Sequence, residues 1–303
     1  MLRALRHAPR PLRSALVRFG LRFRDAQVRG LSAEVATRPE DALAAARIVH
    51  DAYVARGLMH AHPTGLRVTP AQVLPSSFVL VAKRGEEVIG TISLQVDGAL
   101  GLPIDGAYPC EIASLRAAGR RVAEVGALAV RPEHRGSGVL HLLNRAMFEL
   151  AEAAGVDDLV IAVSEWAADL YQMVLCFDRI GEVRPYPGLA RSTPSTALRL
   201  PLDEARARFR DRAPSSYAVY VDRRWPEVRV PPAVSLDAHD EAALEAVRAL
   251  VSARRDVFRA LDRDRVLALR RAVPSIYWPT PSQIDPRELD DAFEGVVALR
   301  EAV

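Results

Sequence analysis

The sequence predicts an α/β protein with a mixed central sheet flanked by helices, followed by a mostly helical carboxy-terminal part. Three observations predict it. Over 32–202, short segments rich in β-branched residues alternate with segments of 3.6-residue period. Two of the strands are joined by the tight turn Gly85-Glu86, which marks a hairpin within an otherwise alternating order. After Pro201 the strand pattern gives way to charged amphipathic helices broken by Pro-rich stretches at 231–232 and 278–286. The chain divides on this basis into a basic amino-terminal segment (1–31), an α/β domain (32–202) and a helical appendage (203–303).

The elements follow in order. In 1–31, Leu12, Leu16, Phe19 and Phe23 fall at helical spacing among arginines. This basic amphipathic segment, 12–29, either packs on the main domain or meets an acidic partner protein or an anionic membrane surface. A strand is expected near 33–37. A helix then opens on Pro39, Glu40 and Asp41 and closes near Gly57. Residues 58–77 form a long irregular loop, a kind that tends to be functional. The hairpin "FVLVAKR"/"EVIGTISLQV" precedes a loop with a short helix at 100–119. A strand at 120–130, a helix from Val139 of about four turns, a strand at 158–163 and a helix at 165–175 follow. Strands at 177–183 and near 195–202 complete the set. The order is β-α-ββ-α-β-α-β-α-β-β.

Composition narrows the function class. The 303 residues are 50% hydrophobic and 26% charged, with net charge +3, as in an ordinary globular chain. Residues 1–31 hold eight arginines and one acid, while the rest carries 33 basic and 37 acidic residues. The basicity belongs to the tail, so a nucleic-acid-binding domain is not indicated. The two cysteines, Cys110 and Cys176, form no CxxC metal motif and no disulfide framework. No run approaches a membrane span and arginines interrupt the amino-terminal apolar residues, so a cytoplasmic setting is expected.

The stretch "AVRPEHRGSG" (129–138) places Arg135, Gly136, Ser137 and Gly138 where a strand turns into a helix. A helix start has unpaired N–H groups and a partial positive charge. Glycines let that backbone approach a phosphate, and arginine adds a charged donor. The alternative is a tight turn with a purely structural role. This stretch resembles the acetyl-CoA signature of the GNAT acyltransferase superfamily, Arg/Gln-x-x-Gly-x-Gly/Ala: Arg135 and Gly138 match, while Leu140 replaces the last small residue. "DLYQMVLCF" resembles that superfamily's later tyrosine-containing helix, with Tyr171 in place and Cys176 where glycine is usual.

A narrower resemblance covers nearly the same span. "GLRVTPAQVLPSS", the stretch from "GTISLQV" to "VGALAV", "DDLVIAV" and "FDRIGEVRPYP" are similar to the long-chain N-acyl amino acid synthases, GNAT-fold relatives of the acyl-homoserine-lactone synthases. It implies an enzyme that moves a fatty acyl group from acyl carrier protein to an amino acid's amine. A pantetheine arm would then lie along 122–130, contacting Gly126, Leu128, Ala129 and Val130, with a free N–H from Gly126–Ala129 for the thioester carbonyl. The phosphate at Arg135–Gly138 is either CoA's pyrophosphate or the single phosphate of carrier-protein phosphopantetheine. Leu140 and the basic tail favour the carrier protein, with acyl-CoA as the alternative. No permanently bound cofactor or metal is expected.

Candidate site residues follow. Period two puts Glu124 on one strand face with Val122, Gly126, Leu128 and Val130, and a carboxylate in an apolar row is costly unless paired or functional. It is the candidate general base, matched in position by a strand glutamate of the acyl-homoserine-lactone synthases. The alternative is an ion pair with Arg120 or Arg121. The GNAT resemblance implies Tyr171 as the acid for the leaving thiolate; otherwise it is a core aromatic. Arg67, in the long loop, is a candidate to grip the acceptor's carboxylate, or is simply solvated. Tyr53 either lines the pocket or packs near it. His60, His62 and His50 lack a rigid ligand frame, and Cys176 reads as core. Two competing functions are a short-chain acyl-CoA N-acyltransferase and a non-catalytic GNAT-fold sensor or scaffold.

Overall fold

The computed structural model describes residues 23–276 and 278, apart from 99, 187, 188 and 190–192. Most of the predicted basic helix therefore lies outside the described residues. Within them, Asp25–Gln27 form a single 3-10 turn.

The long strands are β1 (Leu31–Val35), β2 (Ser77–Arg84), β3 (Glu87–Val96), β4 (Val122–Val130), β5 (Asp158–Val163) and β8 (Pro194–Pro201); the two-residue strands are β6 (Asp178–Arg179), β7 (Arg184–Pro185) and β9 (Val228–Arg229). They lie in the order β6-β8-β5-β4-β3-β2-β1-β9, with β7 also on β8. All pairings are antiparallel except β4 with β5 and β1 with β9. This is the expected mixed sheet, and its GNAT-like order puts β4 and β5 at the centre.

Helices cover both faces. Helix α1 (Pro39–Ala55) starts on a proline whose missing N–H costs nothing there, with Glu40 and Asp41 in its first turn. Its small side chains Ala45, Val49 and Ala52 pack on Val81, Val88 and Ala129. Helix α2 (Pro109–Ala117) sets Ile112 beside Val122 and Val160. On the other face, α3 (Val139–Ala153) buries Leu142, Leu143, Met147 and Leu150 against Leu80, Ile89 and Leu94. Gly90 lets α3 come close: a Cβ there would stand 2.9 Å from Val139. Helix α4 (Glu165–Val174) follows β5.

The strand expected at 177–183 shrinks to β6. The Ile180 N–H still bonds the Ala197 carbonyl of β8 at 3.0 Å, and Gly181 then packs so close to the Tyr108 ring that a Cβ there would sit at 2.7 Å. Cys176, at the position where glycine is usual in the resembling superfamily, adopts a left-handed φ of 57°. The backbone there keeps the glycine-type turn although the residue has a Cβ.

The carboxy-terminal residues share cores with the rest. Helices α5 (Leu202–Arg212) and α6 (Pro214–Tyr217) lead to Tyr220 and Trp225, which join Phe209 and Phe148 in the core over α3. The chain then adds β9 beside β1. Helices α7 (Glu241–Ala253), α8 (Arg255–Arg259) and α9 (Arg263–Ala272) build a second core. Its members Val247, Leu250, Val251 and Phe258 pack against Ala42 and Ala46 of α1 and against Leu66, Val68, Val73 and Leu74 of the long loop. Among the described residues, no helix is long and apolar enough to cross a membrane.

Candidate active site

The parallel pairing of β4 with β5 covers only Val122, Ala123 and Glu124. Beyond Glu124 the two strands diverge, so backbone groups of β4 that face β5 have no strand partner among the described residues. On its other edge β4 is bulged. Thr91 pairs with Ala129 and Ser93 with Gly126, so Ile92 faces both Ala127 and Leu128. Ala127 takes a left-handed φ of 50° to make the bulge.

The bulge corrects the period-two expectation. Ala127 and Ala129 pack on the α1 face, whereas Leu128 and Val130 pack with Ala123 on the α3 face. One extra residue inverts the alternation. Leu128 and Val130 therefore do not share a face with Glu124. Gly126 remains beside Ser93, with Ser93 Oγ 3.6 Å from where its Cβ would stand.

Glu124 is 7% exposed. One carboxylate oxygen accepts the Ile104 N–H at 2.7 Å, and the other accepts the Tyr186 hydroxyl at 2.5 Å. Burial pushes its pKa up to about 7, opposed by these two hydrogen bonds; Asp105 adds to the rise and Arg67 opposes it. The ion-pair alternative does not occur. Arg120 pairs with Asp158 at 2.7 Å and Asp203 at 3.1 Å, and Arg121 donates to the carbonyls of Ala154 and Gly155.

Both partners of Glu124 are braced. Ile104 lies in the turn Pro103–Gly106, which Arg116 clamps by reaching Asp97 and Asp105 together. Arg184, two residues before Tyr186, grips Glu111 of α2 through two hydrogen bonds of 3.0 and 2.7 Å. Sequence reasoning missed Tyr186 and the Ile104 N–H. The block "FDRIGEVRPYP" contains that tyrosine, but only folding brings it 62 positions back to Glu124.

The other candidates converge here. The Arg67 guanidinium stands 4.8 Å from the Tyr53 ring centre. Among the described residues its guanidinium makes no hydrogen bond or ion pair, although its charge is felt at both Glu124 and Tyr186. Tyr171 is half-buried, packed edge-on to Phe177 at 6.0 Å, and burial pushes its phenol up to about 12. Tyr53 acts electrostatically on both Tyr171 and Tyr186. Glu124 and Tyr186 are thus bonded to each other and Arg67 packs on Tyr53, with the Arg67 charge felt at the first pair; Tyr171 is linked to this cluster only through the influence of Tyr53. Such a cluster offers a base, and a cation with no anionic partner among the described residues, with a neutral phenol near Tyr53.

The glycine turn lies at the start of α3. Gly136 and Gly138 have φ of 81° and 79°. Gly136 has open space at its Cα, but a Cβ on Gly138 would meet Gln27 at 2.9 Å and Val28 at 3.0 Å. Gly138 thus serves close packing of the amino-terminal segment as well as the turn. The first helical bond runs from Leu142 to the Gly138 carbonyl, which leaves the N–H groups of Val139 and Leu140 without an intrahelical acceptor. Arg135 donates to the Val130 carbonyl at 3.3 Å and is exposed, while Ser137 spends its hydroxyl on the His134 carbonyl.

The histidines serve the long loop. Buried His50 accepts the His62 N–H at 3.0 Å, and His62 accepts the Thr64 N–H at 3.2 Å. His60 is exposed. Cys176 is buried, and burial raises its thiol pKa.

The GNAT-like sheet opened between its central strands and the family comparison together give the class, an N-acyltransferase. The family N-acyl amino acid synthase FeeM matches residues 44–201, over half of the chain, and the protein belongs to that family. The solved structure of FeeM, an N-acyl amino acid synthase from uncultured soil microbes, superposes with a TM-score of 0.52 at 28% identity, over 59% of this chain and 94% of that one. BjaI, a CoA-dependent acyl-homoserine lactone synthase, aligns at 16% identity and TM-score 0.45, over 71% of this chain and 97% of its own. YncA, a putative acetyltransferase from Salmonella typhimurium, aligns at 20% identity and TM-score 0.42, over 58% and 95%. No curated protein shows significant sequence similarity to the chain.

Proposed function

We propose that the protein moves a fatty acyl group from a pantetheine thioester to the amine of an amino acid, with acyl carrier protein as the preferred carrier. The observation that carries this reading is the buried Glu124, with a pKa near 7, sharing one cluster at the opening between β4 and β5 with Arg67, whose guanidinium has no anionic partner among the described residues.

The steps follow from these groups. The Arg67 guanidinium grips the acceptor carboxylate through charge-assisted hydrogen bonds. Glu124 takes a proton from the acceptor ammonium, and the neutral amine attacks the thioester carbonyl carbon. An N–H of the bulged Gly126–Ala129 segment stabilises the oxyanion. Collapse of the tetrahedral intermediate breaks the C–S bond. Tyr171, neutral because its phenol is pushed up to about 12, gives its proton to the departing thiolate; the second amine proton, lost as the amide forms, restores the phenol through water, and Glu124 releases the first proton to solvent. The products are an N-acyl amino acid and a free pantetheine thiol. The pantetheine phosphate lies at Arg135–Gly138, where the N–H groups of Val139 and Leu140 supply donors. Leu140, bulky where the superfamily signature has a small residue, favours a single phosphate over a pyrophosphate.

Mass spectrometry of lipid extracts tests the reading, comparing cells that overproduce the wild type with cells that overproduce Glu124→Gln. A new N-acyl amino acid present only with the wild type supports it. Equal amounts from both refute Glu124 as the base. Titration with CoA and with phosphopantetheinylated carrier protein separates the donors, since tight CoA binding favours the short-chain acyl-CoA alternative.

A further inference from the structure

The carboxy-terminal helices lie beyond the region matched by the family, yet they hold the loop that carries Arg67. Leu66 and Val68, on either side of Arg67, are each 5% exposed and sink into the core built by Val247, Leu250, Val251 and Phe258. Arg67 is turned the other way, toward Tyr53. Its own N–H donates to the Ala46 carbonyl of α1 at 3.1 Å.

One side chain finishes this mounting. Arg254, at the carboxy-terminal end of α7, is buried and donates from Nη1 to the Leu66 carbonyl at 2.5 Å. Its other two nitrogens hold both oxygens of Asp256, at 2.9 and 2.8 Å. Asp256 in turn lies 3.5 Å from His62 Nε2 in the same loop. His239 sits 3.0 Å from the Val73 carbonyl at the loop's far end. The peptide that precedes Arg67 is therefore fixed by a charged donor from 188 positions away. A charge-assisted bond of this kind is about twice as strong as a neutral one. Arg254 cannot leave it without stranding a buried carbonyl.

We infer that Arg254 is a positioning residue for acceptor recognition: by holding the Leu66 carbonyl, it aims the Arg67 guanidinium at the carboxylate of the incoming amino acid. The inference rests on the reading of Arg67 given above. It assigns the carboxy-terminal helices a part in acceptor selection. A guanidinium displaced by about 1 Å loses the paired geometry that discriminates a carboxylate from an amide.

The test is a competition. The enzyme is given a medium-chain acyl thioester and an equimolar mixture of the twenty amino acids and their carboxamides, and the N-acylated products are counted by mass spectrometry. The ratio of acid to amide products does not depend on how much enzyme is folded, so a merely structural role leaves it unchanged. The wild type favours acids. Arg67→Ala removes the preference. Arg254→Ala lowers the ratio about tenfold, and Arg254→Lys, which keeps one donor for the Leu66 carbonyl, gives an intermediate value. If Arg67→Ala flattens the ratio while both Arg254 variants retain the wild-type ratio, Arg254 has no positioning role. If Arg67→Ala itself leaves the ratio unchanged, the Arg67 reading falls and the inference with it. Arg254→Lys keeps the comparison available should the alanine variant fail to fold.

Discussion

Replacing Glu124 by glutamine removes the ionisation while keeping the shape. In the fold this carboxyl binds its proton with a pKa of about 7, against an ordinary 4.5. Each tenfold change in proton affinity is worth about 1.4 kcal/mol, so ionised Glu124 costs the fold about 3 kcal/mol. The sign follows from linkage. The folded state holds the proton more tightly than the unfolded state does. This contribution is therefore fully present below pH 4.5 and is lost as pH rises to about 7. Glutamine has no such dependence. Denaturant melts of both proteins at several pH values between 4.5 and 8 should show the glutamine variant gaining on the wild type by up to about 3 kcal/mol across that range. Activity should move the opposite way. Wild-type kcat/KM rises with pH through about 7, and the variant loses about 10²–10⁴ in turnover, the usual contribution of a general base. A stability difference that stays constant with pH would refute the burial argument. Unchanged turnover would refute the catalytic one.

The same geometry yields further expectations. Tyr186→Phe removes a hydrogen bond that lowers the Glu124 pKa, so the rising limb of the pH–rate profile should shift to higher pH; a shift to lower pH contradicts the assignment. Tyr171→Phe should slow transfer from an alkyl thioester about 100-fold, and much less from an aryl thioester, whose thiolate departs without a proton. Equal losses with both donors would remove Tyr171 from the leaving-group step. Ala127→Val places a β-branched residue at φ 50° and should destabilise the fold by about 1–3 kcal/mol in a denaturant melt, whereas Ala127→Gly is accommodated. A valine variant as stable as the wild type would mean that the bulge is not fixed.

Much of the architecture is legible in the sequence because local signals mark it. Pro39 with two acids opens α1, Gly85-Glu86 joins β2 to β3, and the run Asp158–Val163 is apolar enough to be a buried strand. Glu124 stands out because a carboxylate in an apolar strand demands a reason. The strand expected at 177–183 is only Asp178–Arg179, because β-like composition does not reveal where pairing with a neighbour ends or that Gly181 packs on the Tyr108 ring. Leu128 and Val130 lie on the face opposite to the one alternation predicts, because a bulge depends on pairing with β3, and alternation alone assumes a regular strand.

The sequence by itself determined the class: the order of strands and helices, the glycine turn at a helix start, and a family resemblance that the matched region 44–201 bears out. These are local properties, written in period, caps and short motifs. Tertiary structure alone decided that Tyr186 and the Ile104 N–H hold Glu124, that Arg67 stands over Tyr53, and that Arg254 fixes the peptide before it. Those contacts join residues 14 to 188 positions apart. No local pattern encodes them, because burial and close packing select the partners only after the chain has folded.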